Sequence, residues 1–302
     1  MKALQFAEYG DPDVLEVVDV EEPHAGPGQI RITVRAAGVN PIDWKLRSGA
    51  LAQMWAIELP AGVGMDASGV VDEVGDGVAG ISVGDEVFGS TAGGAAAELA
   101  VLTEWAAKPP SMSFEEAAGL PVVTETARRV LNLLGLREGE TILINGAAGG
   151  VGLAAVQFAG AAGGTVVATA SEANHDFLRS LGAQVTTYGD GLAERVRDIA
   201  PQGVDLAFDV VGQGALPELV AITGSPDKVI TIADYSAPEH GVRITSGGAD
   251  HAPEGRQEAA DLFEQGRFTM PVAATFPLDE AAKAHEMSQA GHVLGKIIIT
   301  VA

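Results

Sequence analysis

Ile30, Ile32, Val34 and Ala36 alternate with Arg31, Thr33 and Arg35. A period of two with one wet face predicts an antiparallel, half-exposed strand over residues 30–36. Shorter β-like runs surround it at 1–6, 15–19, 67–74, 86–88 and 96–102. Turn signals such as Gly10-Asp11-Pro12, Gly75-Asp76-Gly77 and Gly84-Asp85 separate them. Several short strands at this spacing predict a small barrel or sandwich. Residues 50–60 read as an irregular apolar connection. After Pro109-Pro110 the pattern changes, with helices predicted at 114–118 and 122–134; Ser113 and Glu116 suit a capping box for the first. From Thr141, strands at 141–145, 166–169, 185–187, 204–209 and 229–232 alternate with helical stretches such as 153–162, 174–181 and 191–200. Ile244-Thr245 is a candidate last strand. This alternation predicts a parallel, doubly wound sheet. Near Asp250 it breaks, leaving a polar helix at 253–265, a run at 276–278, a helix at 279–290 and a strand at 296–301. With the sheet already full, this tail is expected to return to the N-terminal domain.

The most specific stretch is Thr141–Gly152, T-I-L-I-N-G-A-A-G-G-V-G. A buried strand leads into glycines at spacing three, Gly146, Gly149 and Gly152, and a helix follows. In that context the triplet is a dinucleotide fingerprint. Gly146 permits the tight turn, Gly149 lets a pyrophosphate approach the backbone, and Gly152 lets helix pack on strand. The helix's first N–H groups then face the phosphates. Gly146, Ala148, Gly149, Gly150, Val151 and Gly152 are the expected cofactor-binding backbone.

Composition narrows the partners. The 302 residues carry 41 acidic and 18 basic side chains, a net charge of −23. That balance argues against nucleic acid or an acidic membrane surface. An anionic cofactor must then be held mainly by backbone N–H groups. There is no cysteine, which excludes disulfides and thiolate metal sites. Met1–Gly10 lacks a signal-type apolar stretch, and no run of about 18 apolar residues occurs, so a cytoplasmic protein is expected.

Gly38-Val39-Asn40-Pro41-Ile42-Asp43, followed by Arg47 and Gly49, resembles the N-terminal signature of the zinc-independent quinone oxidoreductases. These form the zeta-crystallin-like branch of the medium-chain dehydrogenase/reductases. Gly64–Val71, Leu120-Pro121, Thr126-Ala127, the Asn145–Gly152 loop and Gly291–Lys296 are similar to further family signatures, in order along the whole chain. The resemblance implies an α/β protein: a GroES-like β-barrel domain of residues 1–112 and 251–302, a Rossmann domain of residues 113–250, an active site in the cleft between them, and a homodimer joined through the Rossmann domains. One departure is Gly94-Ala95-Ala96-Ala97-Glu98, where the family commonly carries an aromatic residue before Ala-Glu.

Zinc-dependent relatives hold the metal with a cysteine, a histidine and a further acidic or cysteine ligand. Here Asn40 and Met65 stand in the first two places, neither a usual zinc ligand. The six histidines show no ligand spacing, so no metal is expected. Without a Lewis acid the plausible reaction is hydride delivery to an electron-poor small molecule, a quinone or an α,β-unsaturated carbonyl compound. Asn40 either donates to a developing oxyanion or stabilises its loop. Thr126 matches the family position near the nicotinamide carboxamide, or bonds back within its helix. Met54 and Trp55 are expected to wall the substrate pocket; Trp44 reads as core, and Asp43 as structural, pairing with Arg47 or capping a short helix. The alternative is an NADP(H)-binding redox sensor or structural protein without turnover.

Cofactor choice rests on the end of the second sheet strand. Family spacing places Ser171 where NAD-binding folds carry an acid, which leaves room for a 2′-phosphate. Tyr188 matches a family tyrosine reaching the same phosphate. NADP(H) is therefore favoured. If the register slips by one, Glu172 becomes the NAD-type acid, so NAD(H) stays open. Val211 closes the fourth strand at the ligand edge. Lys296 is either a cofactor contact or a surface charge opening a strand.

Overall fold

The computed structural model describes residues 1–301. It comprises two compact units, Met1–Val122 with Arg256–Ala302, and Val123–Gly255. The sequence reading divides the chain after residues 112 and 250.

In chain order the first unit begins with β1 (Lys2–Phe6), β2 (Glu16–Asp19), β3 (Ile30–Val39), α1 (Pro41–Arg47), β4 (Ala61–Gly62), β5 (Asp66–Val74), β6 (Glu86–Thr91), β7 (Leu99–Ala107) and α2 (Phe114–Ala118). There follow α3 (Pro121–Leu134), β8 (Thr141–Asn145), α4 (Gly150–Ala161), β9 (Thr165–Thr169), α5 (His175–Ser180), β10 (Gln184–Thr186), α6 (Leu192–Ile199), β11 (Leu206–Asp209), α7 (Leu216–Thr223), β12 (Val229–Thr231) and β13 (Arg243–Ile244). The chain closes with α8 (Glu254–Glu264), β14 (Val272–Pro277), α9 (Ala281–Ala290) and β15 (Lys296–Thr300).

β3 organises the first unit. It pairs with β5, β7 and β15, so that β3-β5-β6-β7 close on themselves and β15 and β14 extend the sheet. Ile30, Ile32 and Val34 are buried and alternate with more exposed neighbours, as a one-sided strand should. The strand then runs on to Val39, beyond the expected end at Ala36, and Ala36–Val39 are buried throughout. The tail supplies the reason: Ile297–Thr300 pair antiparallel with Ala36–Val39. Gly38 also lies against the carbonyl of Ala118 at the end of α2, and a side chain there has no room. Ser68 Oγ donates to the Phe114 carbonyl at 2.6 Å, tying α2 to β5. β7 begins later than the sequence run at 96–102, because Ala95–Ala97 bury against β1 through an Ala3–Ala97 bridge.

The second unit is a six-stranded parallel sheet of order β10-β9-β8-β11-β12-β13. In order of appearance that is 3-2-1-4-5-6, with its switch point between β8 and β11. All five residues of β8 are buried, as a central strand covered on both faces requires. α4 is apolar almost all round, and Gly152–Ala159 are buried. No helix among the described residues is long and apolar enough to cross a membrane.

Ser113 accepts from the Glu116 N–H at 3.1 Å, and the Glu116 carboxylate accepts from the Ser113 N–H at 2.9 Å, so two of the four orphan donors at the start of α2 are satisfied. Ser113→Ala should lower the unfolding free energy by about 1 kcal/mol in urea titrations.

Candidate functional site

The glycine turn joins β8 to α4 at the carboxyl edge of the parallel sheet. Gly146 has φ +89°, a left-handed conformation that glycine adopts without steric cost. Its N–H donates to Thr169 Oγ1 at 3.0 Å, and the Ala147 N–H donates to the Thr169 carbonyl at 2.9 Å. A Cβ on Gly152 would lie 2.5 Å from the Gly146 carbonyl, so helix and turn approach as closely as backbone allows. Gly149 differs. It is the N-cap of α4 with extended backbone, φ −76° and ψ 166°, and a Cβ there would meet nothing within 4 Å. Neither strain nor protein packing requires a glycine at 149. The first intrahelical bond runs from the Leu153 N–H to the Gly149 carbonyl, so the N–H groups of Gly150, Val151 and Gly152 precede it. With Ala148 they form a neutral cradle carrying the positive end of the α4 dipole, which fits the diphosphate of a dinucleotide.

Around this edge, Ser171 follows β9 and caps a short turn. Its Oγ accepts from Asn174 Nδ2 at 3.2 Å. Glu172 beside it is exposed. Tyr188 follows β10 and is 50% exposed, and Val211 follows β11 at 42%. The Val211 side chain covers Gly146, where it occupies the space a Cβ would need. One cation escaped the sequence reading. Arg195 on α6 donates to the carbonyls of Thr187, Tyr188, Gly189 and Asp190, which fixes the turn carrying Tyr188.

The first unit holds a buried polar cluster that no local pattern announces. Lys296 Nζ donates to Asn40 Oδ1 at 2.6 Å, and Asn40 Nδ2 donates to Asp66 Oδ2 at 2.8 Å. Asp66 Oδ1 accepts the Val122 N–H at 2.9 Å, and Lys296 lies 3.8 Å from Asp66 Oδ2. Asp43 Oδ2 accepts the Asn40 N–H at 2.7 Å at the start of α1, while its Oδ1 has no partner among the described residues. All four side chains are buried. Burial raises the Asp66 carboxyl above its ordinary range against the pull of Lys296, and lowers the Lys296 ammonium against the pull of Asp66 and Asp43.

These contacts correct several expectations. Lys296 is not a surface charge; it is the cation of the buried cluster. Asn40, at 2% exposure, spends its oxygen on Lys296 and an amide hydrogen on Asp66, which favours the structural of its two readings. Asp43 caps α1 through the Asn40 N–H and has no bond to Arg47. Thr126 does not bond back along its helix. Its Oγ1 donates to Glu125 Oε2 and accepts from Arg129 Nη2, both at 3.3 Å. Arg129 in turn donates to Glu125 and to Thr245 Oγ1. Glu125 and Arg129 stand at i,i+4 on α3, a spacing legible in the sequence. Met54 and Trp55 lie in the irregular 48–60 connection, 52% and 39% exposed.

Zinc does not fit these residues. Asn40 Oδ1 faces the Lys296 ammonium, a position no metal ion shares. Among the described residues no group of three or more His, Asp or Glu side chains is placed to hold a metal.

Residues 26–111 match the family model described as alcohol dehydrogenase GroES-like domain, and residues 181–299 match that described as zinc-binding dehydrogenase. A quinone oxidoreductase of Pseudomonas aeruginosa is 33% identical, over 99% of this chain and 99% of that protein. The 2-methylene-furan-3-one reductase of Solanum lycopersicum is 34% identical, over 99% of this chain and 79% of its own length. The crystal structure of Escherichia coli quinone oxidoreductase complexed with NADPH is 26% identical and superposes with a TM-score of 0.83, covering 99% of this chain and 100% of that one.

Burial pushes the Asp43 carboxyl up from 3.8 to about 7. Between those values the folded chain keeps a proton that the unfolded chain has released, so this group's contribution to stability falls as pH rises through the interval. Asp43→Asn removes that dependence and keeps an acceptor for the Asn40 N–H. Urea unfolding at pH 5 and pH 8 should show the wild type losing more stability across the rise than the variant; equal changes would contradict the assignment.

Proposed function

The chain belongs to the quinone oxidoreductase family of the medium-chain dehydrogenase/reductases, and we propose that it is an NADPH-dependent, metal-independent oxidoreductase that reduces a quinone or an α,β-unsaturated carbonyl compound. The observation that carries this reading is the cradle of N–H groups at Gly150–Gly152, ahead of the first intrahelical bond of α4 and next to a Gly149 with no protein-internal need to be glycine. Bound NADPH supplies the hydride. The chain's part is to hold and orient. Ala148 and Gly149–Gly152 take the diphosphate on backbone N–H groups. Ser171 offers a hydroxyl and room at the ribose, where an acid would exclude a 2′-phosphate, and Tyr188 stands on the neighbouring turn. Val211 lines the same edge.

The nature of the acceptor follows from what the side chains do not offer. Asn40 and Thr126 spend hydrogen bonds inside the protein, and the Lys296 ammonium on Asn40 Oδ1 supports a reading without zinc. A carbonyl that needs strong polarisation is poorly served by such a site. Quinones and enones are already electron-poor, and orientation beside the cofactor suffices for them. The enone-type name of the tomato relative and the quinone oxidoreductase name of the Pseudomonas relative agree with this class. Met54 and Trp55 are the exposed apolar side chains assigned to the acceptor. The net charge of −23 supports a small-molecule enzyme with no nucleic-acid or acidic-membrane partner, and the family resemblance supports a homodimer.

Loss of NADPH absorbance with benzoquinone, naphthoquinone and simple enones tests the reading. Acceptor-dependent oxidation is expected, with a lower KM for NADPH than for NADH. Tight NADPH binding without turnover across the panel would favour a redox sensor instead, and a clear NADH preference would overturn the cofactor assignment.

A further inference from the structure

The last residues of four neighbouring parallel strands form one polar row. Thr169 of β9 pairs with Asn145 of β8, Asn145 with Asp209 of β11, and Asp209 with Thr231 of β12. All four are buried, three of them completely. Their side chains are joined without a break. Thr169 Oγ1 donates to Asn145 Oδ1 at 2.7 Å, Asn145 Nδ2 donates to Asp209 Oδ1 at 2.9 Å, and Thr231 Oγ1 donates to Asp209 Oδ2 at 2.7 Å.

Each member except Asn145 also holds the start of a turn leaving the sheet. Thr169 Oγ1 accepts the Gly146 N–H. Asp209 accepts the Gly212 N–H at 3.1 Å on both oxygens and the Val211 N–H at 3.4 Å. Thr231 Oγ1 accepts the N–H groups of Ala233 and Asp234, each at 3.1 Å. Three turns at the ligand-binding edge therefore hang from one buried row.

The direction of every bond is fixed. Each threonine has a single hydroxyl proton, and it goes along the row, so its lone pairs are free for the backbone N–H groups. The Asn145 amide is oriented by the Thr169 proton on one side and Asp209 on the other. Both ends drive protons toward residue 209, which meets four donors and no acceptor. An acceptor-only group is required there, and the ionised carboxylate is that group. Its burial is unfavourable and is offset by those donors. An amide at 209 would set an N–H against another donor and leave a buried donor unmatched.

We propose that Asp209 is the positioning residue of the cofactor site: it locks this row, and through it sets the Gly146, Val211–Gly212 and Ala233–Asp234 turns in the geometry that receives NADPH. The proposal rests on the NADPH-binding reading above. It makes Thr231 the second key member, with its hydroxyl as the essential part.

The test compares the full-length wild type with Asp209→Asn, Thr231→Val and Thr231→Ser, by NADPH fluorescence titration, thermal unfolding and amide hydrogen exchange. Asp209→Asn and Thr231→Val should raise the NADPH Kd by at least about tenfold in protein that remains folded. Exchange should quicken in peptides covering residues 210–214 and 231–236. Thr231→Ser keeps the hydroxyl and should keep both affinity and exchange protection, even if its Tm drops with the lost methyl group. The proposal is overturned if the folded Asp209→Asn and Thr231→Val proteins bind NADPH like the wild type, or if Thr231→Ser loses affinity as far as Thr231→Val does. Should Asp209→Asn not fold, the Thr231 pair decides alone. A wild type that binds no NADPH would refute the proposed function instead, and unchanged exchange in the variants would still refute the anchoring.

Discussion

The first turn of α4 leaves backbone N–H groups with no acceptor among the described residues, ahead of the helix's first internal bond. Gly152 lets the turn and helix approach to backbone contact, which aims those groups outward. Gly146 reverses the chain in a conformation open to glycine. β8, buried on both faces, places the turn at the centre of the sheet, beside its switch point. Charge then follows from geometry. In a chain of net charge −23, a helix N-terminus is a way to receive a diphosphate that needs no lysine or arginine side chain.

The first unit is held on different terms. Its barrel closes around β3, and the C-terminal tail completes that strand's pairing. The same tail carries Lys296 into contact with Asn40 and near Asp66, residues far away in sequence. A lysine and two carboxyl groups are thereby taken out of water together. Such a cluster contributes little net stability, since desolvation consumes most of the attraction, but removing any one member leaves the others unmatched. It fixes where β3, β5, α1 and the start of α3 meet, because Asp66 also holds the Val122 N–H and Asp43 the Asn40 N–H.

Much of the fold was legible because it is written locally. β8 and α2 match the sequence reading residue for residue, since a β-branched run before glycine and a capping box before Phe114 need no distant partner. The alternation at residues 30–36 gave the facing of β3 correctly, but its extension to Val39 depends on β15, over 250 positions downstream. α7 was missed and α1 was anticipated only as a short helix that Asp43 could cap; both are short and open on or next to a proline that also reads as a loop signal. At the site, the glycine turn was visible because its chemistry is backbone chemistry with fixed spacing. The hydrogen-bond partners of Asn40, Thr126 and Lys296 were not, because they come from distant strands or depend on how buried side chains meet. The row through Asp209 was hidden for the same reason: its four members are unremarkable strand-end residues until the sheet sets them side by side.

A diphosphate seated on the α4 N-terminus requires residue 149 to be glycine for the sake of the ligand. Its backbone is extended and its surroundings are open, so Gly149→Val should leave Tm and the circular dichroism spectrum as in the wild type. NADPH titration of that variant is the direct measurement: a Kd raised at least about tenfold, the loss of one well-made phosphate contact or more, is the expected result. A folded Gly149→Val protein that binds NADPH as tightly as the wild type would contradict the account.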